Sequence, residues 1–100
     1  MTIRHVVSWK LATTDASERA EQADAIRRGL EGLPAFIPEL LALEVGVNAL
    51  SPEANYDVVL ISDFEDEDAI KRYLVHPEHE KVASYIKSVV DERSAVDFVV

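Results

Sequence analysis

The side chains in this sequence best suited to chemistry are three imidazoles and a phenol. His5 lies near the start, while Tyr73, His76 and His79 share the run Tyr73-Leu74-Val75-His76-Pro77-Glu78-His79. Imidazole exchanges its proton near neutral pH, so a partly desolvated histidine is the natural acid or base in a chain without cysteine. A neighbouring phenol can donate a hydrogen bond and polarise a carbonyl. His5 sits between Ile3 and Val7 on one parity of an alternating segment, and His79 leads the apolar stripe Val82, Ala83 and Ile86. Both are expected to point between a sheet and its helices, where burial favours the neutral ring. The sharp expectation is a pocket lined by His5, Tyr73 and His79. The bland one is a filled core, with both imidazoles in structural hydrogen bonds and the Tyr73 hydroxyl at the rim.

The remaining signals point away from other chemistries. His76, directly before Pro77, reads as a helix cap. His76 and His79 have the i,i+3 spacing of metal ligands, but no third or fourth ligand accompanies them, so no metal is expected. The acids Asp63 and Glu65 to Asp68 lack the spacing of a calcium loop and suit the positive end of a helix. Neither a glycine-rich phosphate loop nor a nucleophile elbow is present, and no cofactor is expected. Trp9 reads as a core or interface anchor.

These residues need elements to position them. Ile3, His5, Val7, Trp9 and Leu11 alternate with Arg4, Val6, Ser8 and Lys10, the period of a strand. A capping segment around Asp15 then introduces a helix on which Ala16, Ala20, Ala23, Ile26, Leu30 and Leu33 form the apolar stripe, ended by Gly32 and Pro34. Ala35 to Ile37 reads as a connecting turn or a single helical turn. A second strand is expected from Leu41 to Leu50 and a third from Tyr56 to Phe64. The third is apolar on both faces, with Val59 and Ile61 opposite Val58 and Leu60, so both faces should be covered. A helix opens at Glu65 to Asp68 and is interrupted at His76-Pro77, where Pro77 starts a new one. The last strand is expected from Ala95 to Val100.

The order strand, helix, strand, strand, helix, strand gives an α+β fold: a ferredoxin-like βαββαβ protomer, its antiparallel four-stranded sheet bearing helices on one face. The two-sided third strand predicts a homodimer through the helix-free face, closing a dimeric α+β barrel.

Composition agrees. One hundred residues suit a single domain spanning 1–100, and an apolar share of 48% is high for so short a chain unless some of that surface is shared. Ten Lys and Arg against nineteen Asp and Glu give a net charge of −9, the wrong sign for nucleic acid or an anionic membrane surface. There is no signal-peptide pattern and no membrane-length apolar run, so a cytoplasmic location is expected.

Ile3 to Lys10, Leu43-Glu44-Val45-Gly46, Tyr56 to Ile61, the Tyr73 to His79 run and Val96-Asp97-Phe98 together resemble the stress-responsive A/B barrel (Dabb) family. The resemblance implies a dimeric α+β barrel of ferredoxin-like protomers and a stress-related or small-molecule-binding role. It also extends to a plant polyketide cyclase, which implies an alternative: a cofactor-independent enzyme on a small apolar or ketone-containing ligand. There His79 would be the general base, Tyr73 would orient the carbonyl and His5 would hydrogen-bond the substrate. Cofactor-free monooxygenases and isomerases share the scaffold. At the third strand, Val58 stands where the cyclase has a histidine.

Overall fold

The alternation of the first strand decides which way the sheet faces. In the computed structural model, which describes residues 1–100, β1 runs Ile3–Leu11, and His5, Val7, Trp9 and Leu11 are all buried. Helix α1 (Ala16–Glu31) follows, begun by the Asp15 side chain accepting from the Glu18 amide at 2.8 Å. A single 3₁₀ turn (Leu33–Ala35) leads to β2 (Ala42–Val47), β3 (Val58–Phe64), α2 (Glu67–Leu74), α3 (Pro77–Val89) and β4 (Val90–Val99). The sheet order is β2-β3-β1-β4 with every pair antiparallel, a ferredoxin-like fold as expected.

One core lies between the sheet and the helices. Ile26 and Leu30 of α1, with Leu33 and Ile37 beyond it, meet Val7 of β1 and Leu60 and Phe64 of β3. Ala16 and Ala20, expected on the same stripe, are exposed and line a shallow surface pocket beside Val47 and Asp57. On the opposite sheet face stand Val6, Val59 and Ile61 of the central strands, with Val96 and Phe98 of β4. Arg4 and Asp63 pair there through two hydrogen bonds at 2.8 and 3.1 Å.

Three strand boundaries differ from expectation. β2 stops at Val47, because the next residues form a closed turn. There the Asn48 and Asn55 side chains both donate to the Leu50 carbonyl, at 2.7 and 3.0 Å. β3 starts at Val58 rather than Tyr56. β4 starts at Val90, not Ala95, so the charged run Asp91-Glu92-Arg93 is strand. Those residues are exposed on an edge strand, where charge is tolerated and discourages further pairing.

Asp57 binds the end of this sheet to α1. Its buried carboxylate accepts from the Leu11 amide at 2.8 Å, its own amide donates to the Trp9 carbonyl at 2.8 Å, and Arg19 approaches to 3.7 Å. Replacing it by alanine leaves a buried amide without an acceptor. Asp57→Ala is therefore expected to cost about 1–3 kcal/mol in urea unfolding, and Asp57→Asn, which keeps an acceptor oxygen, distinctly less.

Candidate functional site

Between the sheet and α3 lies a cavity of about 340 Å³ with mainly apolar walls. β1 contributes His5, Val7 and Trp9, β3 contributes Leu60, and the helices add Tyr73, His79, Ala83 and Ile86. The volume sits at the lower end of ligand pockets. The structure thus brings His5, Tyr73 and His79 to one cavity. His76 is elsewhere: its Nδ1 accepts from the Glu78 amide at 3.1 Å and caps α3, with Pro77 in the first turn. No group of three or more His, Asp or Glu side chains is placed to hold a metal ion.

A chain of rings crosses from sheet to helix. His5 meets Phe64 edge-on at 6.3 Å between centroids, Phe64 lies 5.0 Å from Tyr73, and Tyr73 lies 4.4 Å from His79. This packing fixes the orientation of all three polar residues.

The protons can be assigned from the partners. His79 Nδ1 lies 3.1 Å from the Leu74 carbonyl oxygen. A carbonyl only accepts, so Nδ1 carries hydrogen, and on the neutral ring Nε2 keeps its lone pair. Partial burial holds the His79 pKa below its ordinary value. The Leu74 carbonyl and Glu80 oppose that shift, while His5 and His76 add to it. At neutral pH His79 is therefore an uncharged base whose Nε2 has no protein partner.

His5 is 6% exposed, and its Nδ1 bonds the Asp97 carboxylate on β4. Since a carboxylate accepts, this pair also fixes the ring orientation and leaves Nε2 as the second polar atom. The register explains the meeting: His5 is directly opposite Asp97 in the β1–β4 pairing and Ser62 in the β1–β3 pairing.

Tyr73 is 1% exposed, and its hydroxyl, expected at the rim, is buried without a protein partner. Burial pushes its pKa up to about 12, so it is a hydrogen-bond donor throughout the physiological range. A buried hydroxyl without a protein partner costs free energy unless another polar group meets it.

Asp97, Lys87 and Arg93 are the residues at this site that the sequence reading missed. Arg93 becomes legible only once β4 is known to begin at Val90, while Asp97 lay inside the expected strand and needed only the pairing register, which sets it opposite His5. Lys87 was within reach of sequence, two helical turns after His79 on the same helix.

Comparison with known proteins agrees with this architecture. The family model described as the stress responsive A/B barrel domain matches residues 3–100. An uncharacterised protein of Streptomyces coelicolor is 37% identical over 78% of this chain and 79% of its own. A dimeric ferredoxin-like protein of unknown function from Thermobifida fusca is 31% identical, with a TM-score of 0.83, over all of this chain and 92% of its own. A dimeric counterpart from Bacteroides fragilis, also of unknown function, is 28% identical with a TM-score of 0.88, covering 97% of this chain and 94% of its own.

The His79 assignment has a measurable consequence. Because the folded state takes up this proton less readily than the unfolded chain, its share of stability is present above about pH 6.5 and fades as pH falls through the depressed value. The His79 ring should titrate below about 6.5 by proton NMR. His79→Gln should lessen the drop in melting temperature between about pH 7 and about pH 5.

Proposed function

The chain belongs to the stress-responsive A/B barrel family, and from that premise we propose that it works as a homodimer binding a small, largely apolar molecule with a carbonyl or hydroxyl group. The observation that carries the reading is the apolar cavity with an unpartnered donor at Tyr73 and an unpartnered acceptor at His79 Nε2. Apolar walls strengthen such hydrogen bonds, and two or three polar groups suffice to orient a small ligand.

The same pair favours a second reading, cofactor-independent acid–base chemistry on a ketone-like compound. In it His79 Nε2 removes a proton from carbon next to a carbonyl. Tyr73 donates to the carbonyl oxygen, on which negative charge gathers, and His5, oriented by Asp97, hydrogen-bonds the substrate. The neutral state of His79 and the protonated state of Tyr73 are the ones these roles need. The fold itself selects no reaction.

Dimerisation is supported by the helix-free sheet face. Val96 and Phe98 on it are 62% and 44% exposed in one protomer, beside the half-buried Val6, Val59 and Ile61. The Thermobifida and Bacteroides relatives are dimers. Pairing two such faces would cover this surface and leave the acidic outer helical faces in water. A cytoplasmic site of action belongs to the same reading; no helix is long and apolar enough to cross a membrane.

Two experiments test these proposals. In a thermal-shift screen of small ketones and phenols, the shift from a confirmed ligand should be lost in His79→Ala and reduced in Tyr73→Phe. Tyr73→Phe should meanwhile leave the ligand-free protein as stable or more so, because it removes the unpaired hydroxyl. A ligand response unchanged in both variants defeats the site. By sedimentation, the protein should be a dimer at micromolar concentration, and Val96→Asp should move it toward monomer with its circular dichroism unchanged; a wild-type monomer overturns the dimer.

A further inference from the structure

The chain has ten Lys and Arg among nineteen Asp and Glu, so a cation without an acidic neighbour is uncommon. Arg4, Arg19, Arg27, Arg28, Lys71, Arg72 and Lys81 each pair with a carboxylate. Lys10 is held by the carbonyls of Pro52 and Asn55 at 2.7 and 3.0 Å. Lys87 and Arg93 remain, with neither a carboxylate nor a hydrogen-bond partner. Both line the cavity, and none of its lining residues is acidic.

Their position within the cavity is set by two independent elements. On α3, eight residues separate His79 from Lys87, a rise of about 12 Å. On β4, four residues separate Asp97, opposite His5, from Arg93, opposite Trp9, about 13 Å along the strand. Helix and strand therefore agree: the His5, Tyr73 and His79 group marks one end of the cavity, and the two cations mark the other. Asp97 is engaged by His5 at the far end from Arg93.

We infer that the ligand is an amphipathic anion, with an apolar body in the cavity and a carboxylate held between Lys87 and Arg93. The guanidinium fork matches a carboxylate, and the lysine adds a second charge from the facing element. In a protein of net charge −9, two unpaired cations at one site also supply the local attraction that the molecule as a whole denies to an anion. The inference rests on the cavity being the ligand site, as proposed above, and adds what one end of the ligand must be.

The test compares matched probes by calorimetry at low salt: β-naphthoate against methyl β-naphthyl ketone, and octanoate against octanol. The anion of each pair should bind the tighter and weaken as salt is raised. Arg93→Gln and Lys87→Met, both at exposed positions, should each lower anion affinity about tenfold and change the uncharged probes less than about twofold, with unchanged melting curves. If the uncharged probe binds as well as its anion, or both variants leave anion affinity intact, the carboxylate assignment falls and the cavity reading stands. If no probe of either pair binds, the cavity reading falls and the inference falls with it.

Discussion

Everything at the site depends on the register of β1. It is a central strand, hydrogen-bonded to β3 on one side and β4 on the other, and its side chains alternate between a covered face and an open one. A slip of one residue would carry Val7, Trp9 and Leu11 out of the core and set Arg4, Val6 and Ser8 in their place. The burial of three large side chains therefore holds His5 on the cavity side. Its meeting with Asp97 and the approach of Arg93 to the same space follow from pairing, with no further device.

The order of elements and the fold class could be read in the sequence because they rest on period and punctuation. β1 announces itself by strict alternation, α1 by the capping Asp15 and the stop at Gly32 and Pro34, and α3 by His76-Pro77. Those signals are local, and local physics produced them. The start of β4 was hidden because Asp91, Glu92 and Arg93 read as a polar connector, while an exposed edge strand accepts such residues. The end of β2 was hidden because Asn48 and Asn55 act on a carbonyl across a turn, which no periodicity reveals.

The same distinction separates the parts of the site. His5, Tyr73 and His79 were legible because histidine and tyrosine beside apolar stripes draw attention by type. The orientations of the two imidazoles were not, since these are set by Leu74 and Asp97, partners brought in by backbone geometry and strand register. The isolation of Lys87 and Arg93 is a property of the whole charge arrangement. It becomes visible only when every other cation has been matched with what holds it.

The junction of α3 and β4 carries a mechanical consequence. Val89 ends the helix and Val90 begins the strand, with no residue between them, and the Val90 amide still donates to Ile86 in the last helical turn. A helix and a strand joined by one peptide bond lack the slack to move independently. The far face of that strand carries Val96 and Phe98, so one unbroken run of chain passes from the wall of the cavity to the open face of the sheet.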